Sequence, residues 1–325
     1  MTRKTRPLII WAVSDGRAGI EAQTMGLAEA VARHAPALVV AKHVAWKGPA
    51  AWLPPQLHPA SRAWLKDPSV LGPPWPDLWI AAGRASLPLS MRARERSGGR
   101  TFVVQLQDPR AALRRFDLVI PPLHDELAGA NVFPILGAPT RVTLEKIGGK
   151  AHAFAETIAP LPHPCVAVLI GGKSRSFDLT APRAETMAAE VEAAVRAAGG
   201  SVMVTFSRRT PHAARAILAE CWRGLPGVIW DDQGPNPYFA FLAAADVCLV
   251  TEDSTNLAVD AAATGKPVLV LKMDGENRKF ARFHAALADR GVSRPFAGRL
   301  EDWRYVPLAE TDRAAEEILR RMSHA

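Results

Sequence analysis

Several short clusters in this sequence combine residue types suited to handling phosphorylated substrates. The most concentrated is Thr251-Glu252-Asp253-Ser254-Thr255-Asn256, set between an apolar run, Val247 to Val250, and a helical pattern from Leu257 to Ala263. Free backbone N–H groups and the dipole at a helix N-terminus favour anions. Ligands of open parallel α/β sheets collect at the carboxyl ends of the strands. Ser254 or Thr255 equally serves as a helix cap, which needs no ligand. Two more clusters follow apolar runs in the same half: Gly171-Gly172-Lys173-Ser174 after Cys165 to Ile170, and Ser207-Arg208-Arg209-Thr210 after Ser201 to Phe206. Glycines followed by a lysine suggest phosphate contact, although the Walker pattern is absent. Two adjacent guanidiniums can clamp a diphosphate, the alternative being a solvated basic turn.

The first half carries its own set. Ser14-Asp15-Gly16-Arg17-Ala18-Gly19 links a strand-like run, Pro7 to Val13, to a helical pattern with Gln23 on its first turn. As a dinucleotide fingerprint this glycine loop is incomplete. Asp15 reads either as a base or orienting carboxylate, or as a turn residue before glycine. Gly83-Arg84 puts a guanidinium where a glycine lets a ligand come close. Gln107-Asp108-Pro109-Arg110 and His124-Asp125 end two further apolar runs. His124 beside Asp125 is the leading general acid–base pair, against a structural role for the histidine.

These loops need strands and helices to hold them, and both halves alternate in that way. Strands are expected near 7–13, 38–44, 77–82, 101–106 and 116–120, then near 165–170, 201–206, 228–230, 247–250 and 268–271. Helices are expected near 21–34, 87–96, 182–198, 238–244, 257–263, 278–289 and 311–322. The expected fold is α/β, GT-B-like, with two Rossmann-type domains facing across a cleft. Domains are expected at 1–150 and 151–306, with the linker inside 146–164 and a C-terminal helix, 307–325, left to pack back on the first domain. The segment from Trp46 to Pro76 interleaves four tryptophans and many prolines with Lys47, Arg62 and Lys66. It suits either a membrane–water interface or an irregular insertion packed on its domain.

Bulk properties narrow the classes. Residues 1–150 hold 20 Lys+Arg against 11 Asp+Glu, and residues 151–325 hold 20 against 21. A basic first half suits an anionic partner, a lipid surface, nucleic acid or a phosphorylated substrate, or is simply a solvated face. No nucleic-acid motif is present. The three cysteines, Cys165, Cys221 and Cys248, lack metal spacing and read as reduced thiols. The apolar run near the N-terminus is too short for a secretion signal, and none is long enough to span a bilayer. The expectation is a soluble, cytoplasmic protein with peripheral contact at the inner membrane left open.

Read together, Ser14-Asp15-Gly16 with Gly19 and Gln23, Gln107-Asp108-Pro109, His124-Asp125 with Asn131-Val132, Ile170-Gly171-Gly172, Ser207-Arg208-Arg209-Thr210, Asn236-Pro237-Tyr238, and Thr251 to Ser254 through Thr264-Gly265-Lys266-Pro267 resemble the ELM (elongated mitochondria) fission family. The match runs in order over nearly the whole chain. The segment after Thr251 is also similar in layout to the donor-binding segment of the lipid II-forming N-acetylglucosaminyl transferase. There a helix carboxylate holds the nucleotide ribose; the matching position is Asp260, one methylene shorter than the glutamate usual there. The resemblance implies a UDP- or other nucleotide-diphosphate sugar as substrate, no cofactor and no metal. Gly171, Gly172, Ser207, Arg208, Arg209, Glu252, Asp253, Ser254, Thr255, Asn256 and Asp260 form the implied nucleotide-sugar side. Asp15, His124 and Asp125 are the catalytic candidates; Gly16, Gly19, Gln23, Arg84, Gln107 and Asp108 lie on the acceptor side. Glycosyl transfer to a lipid-linked or envelope acceptor is the expected activity. A nucleotide-sugar 2-epimerase and a non-enzymatic membrane-division scaffold are the alternatives.

Overall fold

The computed structural model describes residues 6–55 and 57–324. The chain forms two compact units, Met1–Arg141 with Ala309–Ala325, and Val142–Leu308.

The first unit is a parallel five-stranded sheet in the order β2-β1-β3-β4-β5. Its elements are β1 (Leu8–Ser14), α1 (Ala18–His34), β2 (Ala37–His43), β3 (Leu78–Ala81), α2 (Leu87–Arg96), β4 (Phe102–Leu106) and β5 (Leu118–Ile120). The central strands are apolar without alternation because both faces are covered. From β1, Ile10 and Ala12 face a core shared with α1, while Trp11 and Val13 face one shared with α2 and the 46–76 insertion. Trp11 and Trp79 are register partners on β1 and β3 with ring centroids 5.8 Å apart. Helix α1 carries Glu21 in its first turn and Arg33 and His34 in its last, matching the helix dipole. The C-terminal helix, Glu310–Met322, lies against α1 and fully buries Ala314, Ala315 and Ile318. Glu310 accepts the Leu136 N–H at 2.9 Å, and Thr311 Oγ1 accepts that of Thr140 at 3.0 Å.

The second unit carries a parallel six-stranded sheet in the order β13-β11-β10-β6-β8-β9. In chain order it runs α3 (Leu144–Ala151), α4 (Ala155–Ile158), β6 (Cys165–Ile170), β7 (Phe177–Asp178), α5 (Ala181–Ala198), β8 (Ser201–Phe206), α6 (His212–Trp222) and β9 (Gly227–Ile229). It continues with α7 (Tyr238–Ala244), β10 (Val247–Thr251), α8 (Thr255–Ala262), β11 (Val268–Leu271), β12 (Asp274–Gly275), α9 (Arg278–Asp289) and β13 (Ser293–Pro295). β7 and β12 pair antiparallel beside the main sheet. Because every strand of each main sheet is parallel, the loops after the strands emerge on one edge. All the candidate clusters lie on or beside those two edges.

Two expectations shift. The division falls between Arg141 and Val142, not within 146–164. Gly148 and Gly149 are helical residues of α3, capped by Thr143, whose Oγ1 accepts the Lys146 N–H at 3.1 Å. Helix α3 packs on α7, and that tertiary contact outweighs the helix penalty of two glycines. Second, the insertion divides its tryptophans. Trp46 packs against buried His58, ring centroids 3.9 Å apart and planes tilted by 46°, and donates to Ala85 O at 2.9 Å, and Trp75 packs on the core. Trp52 is 85% exposed and Trp64 40%.

Candidate functional site

In the second unit the loops after β6, β8 and β10 converge on one carboxylate. The Asp253 side chain has no exposure at all. Its Oδ1 accepts Thr251 Oγ1–H at 2.7 Å; its Oδ2 accepts the Gly172 N–H at 3.0 Å and Arg209 Nη2–H at 2.7 Å. Thr251 Oγ1 in turn accepts the Gly171 N–H at 2.7 Å, and Thr210 Oγ1 donates to Gly171 O. Arg209 also donates to the carbonyls of Gly172 and Lys173 at 3.2 and 3.3 Å. A buried carboxylate is tolerable only when paired and fully hydrogen-bonded, and here it is both.

This hub revises the reading of the glycines. A Cβ on Gly171 would lie 2.0 Å from Asp253 Oδ1, and one on Gly172 would lie 2.2 Å from the Arg209 carbonyl carbon. Both positions are glycine to make room for the hub. Their N–H groups serve Thr251 and Asp253, so they build the floor rather than donate to a phosphate. Arg209 likewise holds the loops together, with 44% of its side chain exposed. Arg208 is exposed. Ser207 Oγ accepts the Arg209 N–H at 3.1 Å. Ser254 is the N-cap of α8, accepting the Leu257 N–H at 3.3 Å, with Thr255 and Asn256 half-buried on the first turn.

Glu252, in the turn after β10, makes a separate set of contacts. Its carboxylate accepts the Met273 N–H at 2.7 Å and Lys272 Nζ at 3.0 Å, and its carbonyl accepts His284 Nε2–H at 2.9 Å. It ties β10 to β11 and stands apart from the arginines. Asp260 lies one helical turn beyond Asn256 on the same face of α8. It accepts the Tyr238 hydroxyl at 2.8 Å. Burial, then the Asp260 charge, holds that phenol well above its usual range.

In the first unit the edge is built by contacts between loops. Asp15 accepts Arg17 Nε–H at 2.9 Å and sits against Gly83, whose Cβ would lie 3.3 Å from Asp15 Oδ2. Gly16 adopts φ +77° and opens the turn into α1, where Gly19 is exposed. Gln107 Nε2 donates to Gln23 Oε1 at 2.9 Å, joining the β4 loop to α1. Asp108 accepts the Arg110 N–H at 2.8 Å. A cavity of about 360 Å³ opens here, lined by Arg84, Gln105, Gln107, Asp108 and Arg110 among others. His124 and Asp125 share this edge, in the turn Leu123–Asp125 after β5, but neither they nor Asp15 line that cavity.

Sequence reading missed Thr251 and Thr210 as partners in the hub, Tyr238 as the partner of Asp260, and Gln105 in the cavity wall. A glutamine inside the buried strand FVVQL is the one signal that stood in plain view. Nor does chain spacing show that Asp246, His163 and Cys165 meet at the amino ends of β6 and β10, with ligand-type atoms within 4.8 Å of one another. Asp246 Oδ2 there accepts the Cys165 N–H at 2.7 Å and pairs with His163 at 2.5 Å, a strand-end tie opposite the candidate site. All three cysteines are free thiols; burial pushes Cys248 up to about 12. Among the described residues no helix is long and apolar enough to cross a membrane.

Comparison with known proteins places this geometry. The solved structure of a UDP-GlcNAc 2-epimerase from Methanocaldococcus jannaschii matches with a TM-score of 0.63 at 10% identity, covering 98% of this chain and 100% of that one. The spinosyn forosaminyltransferase SpnP matches with a TM-score of 0.52 at 14% identity, over 98% and 95% of the two chains. Such likeness establishes a fold, and the fold is that of GT-B enzymes, with two Rossmann-like units. In sequence, RP120, an uncharacterized protein of Rickettsia prowazekii (strain Madrid E), is 25% identical over 353 residues, 95% of this chain and 97% of its own. Mitochondrial fission protein ELM1 of Arabidopsis thaliana is 34% identical over 275 residues, 76% of this chain. The match spans 64% of that plant protein, less than two thirds of its length. A family model, Mitochondrial fission ELM1, matches residues 18–322, and the chain belongs to that family.

Proposed function

We propose that the second unit binds a nucleoside-diphosphate sugar and that the protein transfers the sugar to a hydroxyl acceptor. The carrying observation is the hub at Asp253. It fixes three strand-end loops and leaves exposed Arg208, the first turn of α8 and Asp260 around one edge. Related folds support the ligand class: the Methanocaldococcus jannaschii epimerase is described in complex with UDP-GlcNAc and UDP, and one from Neisseria meningitidis bound to UDP-GlcNAc.

On this reading Arg208 and the N-terminal turn of α8, with Ser254, Thr255 and Asn256, meet the diphosphate. Asp260, held by Tyr238, takes the ribose hydroxyls. Asp15 or His124 takes the proton of the acceptor hydroxyl. The acceptor oxygen then bonds to the anomeric carbon as the bond from that carbon to the diphosphate oxygen breaks, and the nucleoside diphosphate leaves with the electron pair. Positive charge at Arg208 and the α8 dipole stabilise that departure without a metal ion. Arg209, Asp253, Gly171 and Gly172 position the loops.

The first unit suits an acceptor at an anionic lipid surface. Its segments hold 21 Lys+Arg against 14 Asp+Glu. The insertion presents Trp52, Leu57 and Trp64 to solvent at 85%, 75% and 40% exposure, in a segment that also carries Lys47, Arg62 and Lys66. Exposed aromatic and aliphatic groups among lysines and arginines are the composition of an interfacial contact.

Thermal shift and calorimetry with UDP and UDP-GlcNAc test the reading, since a ligand of the native state raises its melting temperature by linkage. A shift that is lost in Arg208→Ala and in Asp260→Ala, and kept in Lys173→Ala, is expected. If no nucleoside diphosphate or its sugar binds at millimolar concentration, the enzymatic reading falls and the membrane-division scaffold takes its place.

A further inference from the structure

We propose that the cavity at the ends of β3 and β4 binds a hydroxyl-bearing phosphate, with Arg84 and Arg110 facing the phosphate and Gln105 accepting the hydroxyl. Its role as the acceptor subsite rests on the transfer reading above; its ligand chemistry does not.

Gln105 carries the argument. It is 1% exposed on β4, between Val104 and Leu106, where the strand otherwise holds apolar side chains. Its Nε2 donates to Leu106 O at 3.1 Å, while Oε1 has no partner among the described residues. A buried carbonyl oxygen left without a donor costs about 1–3 kcal/mol. Gln105 is among the residues that line the cavity; its Oε1 is itself sealed from solvent, so an O–H brought in by a ligand supplies the missing donor once the amide turns toward the cavity.

The charge around it selects an anion. Arg84 and Arg110 are both exposed at the rim, and Asp108 is the one carboxylate in the lining. Arg84 makes no hydrogen bond or ion pair among the described residues. The loop backbone around it is unusual: Gly83, Gln107 and Arg110 lie at φ +84°, +68° and +48°. Two non-glycine residues in the left-handed region within one short loop are costly, and such strain gathers at ligand sites. A volume of about 360 Å³ sits at the small end of ligand cavities. It has room for a phosphorylated polyol. Pro54 and Pro55 complete the rim, next to exposed Trp52 and Leu53. The phosphate therefore has two possible sources, a soluble metabolite or a lipid headgroup.

The full chain is titrated calorimetrically with sn-glycerol 3-phosphate, inorganic phosphate and glycerol, with UDP as a separate probe. Glycerol 3-phosphate is expected to bind, and Arg84→Ala to weaken it about tenfold or more, the value of a charge-assisted contact. Gln105→Met is expected to weaken glycerol 3-phosphate severalfold and leave inorganic phosphate unchanged. UDP affinity should be the same in both variants. Absence of glycerol 3-phosphate binding at about 10 mM, a dissociation constant weaker than about 3 kcal/mol of binding, overturns the proposal. So does binding that Arg84→Ala leaves intact. If Gln105→Met leaves both phosphates unchanged, the hydroxyl assignment falls. If UDP fails to bind while Arg84-dependent phosphate binding persists, the nucleotide reading fails and this inference stands. Co-sedimentation with phosphatidylglycerol vesicles, against phosphatidylcholine alone, distinguishes the sources: Arg84-dependent capture points to a headgroup, and Arg84-independent capture to the soluble compound.

Discussion

At Asp253 the residues that build the site separate from those that face it, and substitution should tell them apart. The carboxylate is tied by three hydrogen bonds, so it cannot swing away from an added methyl group 2.0 Å distant at Gly171. Gly171→Ala should therefore destabilise the protein by about 1–3 kcal/mol, the range of an overpacked interior. Arg209→Ala should be of similar size. It leaves a carboxylate of zero exposure without its counter-charge, although the partly exposed position of the lost guanidinium moderates the effect. Arg208 is exposed, and Arg208→Ala should change stability by no more than about 0.5 kcal/mol. Urea unfolding of the three variants checks the order. If Arg208→Ala proves as damaging as Gly171→Ala, the division into floor and ligand-facing residues is wrong.

Among the elements, two glycines in helices make opposite predictions. Gly26 lies in α1, and a Cβ there would meet Thr140 O at 2.5 Å, a backbone atom that cannot yield cheaply. Gly148 lies in α3 with nothing within 4 Å. Helix propensity alone favours alanine at both, by about 1 kcal/mol. Packing should reverse the sign at Gly26, so Gly26→Ala lowers the melting temperature while Gly148→Ala raises it. A rise in both would mean that the 140 segment is not pinned against α1. The insertion offers a pH test. His58 is buried; its Nε2 bonds Ala50 O at 3.0 Å and its Nδ1 accepts the Ala60 N–H at 3.0 Å. A proton on Nδ1 would remove that acceptor, and burial holds the His58 pKa below its ordinary value. Burial acts the same way on His284. Above the unfolded pKa of about 6.5 both states are neutral and this group adds no pH dependence. Below it the unfolded chain takes up a proton that the fold refuses, so stability falls with pH, by at most about 1.4 kcal/mol per unit for each proton. His58→Gln keeps one donor and one acceptor and should flatten the profile between pH 6.5 and 5, relative to wild type, by about one proton's worth. Equal slopes in the two proteins would count against this account.

For the whole molecule, what was legible in the sequence was what is local. Runs such as CVAVLI and LIIWAV read as strands because both faces of a parallel sheet are covered, and Ser254 before a helical pattern reads as a cap. What is built at long range was not legible. Asp253 meets Gly172 across 81 positions and Arg209 across 44, so the glycines looked like ligand contacts when they make room for a side chain. The unit boundary is not legible because α3 contains two glycines and is held by α7 rather than by propensity. Return of the last helix to the first unit leads to a test of the division itself. Ala314, Ala315 and Ile318 are fully buried on α1, and Glu310 and Thr311 satisfy the N–H groups of Leu136 and Thr140. Ending the chain at Leu308 would expose that apolar face and orphan both donors. Burying one aliphatic side chain is worth about 1.5–3 kcal/mol and each orphaned group costs about 1–3 kcal/mol. The loss therefore rivals the whole stability of an ordinary domain, about 5–15 kcal/mol. Hydrogen exchange on the truncated protein should show β1 to β5 unprotected while β6, β8 and β10 keep their protection. Loss of protection in both sheets together would mean that the chain unfolds as one cooperative block, and that the second unit does not hold its nucleotide-facing loops on its own.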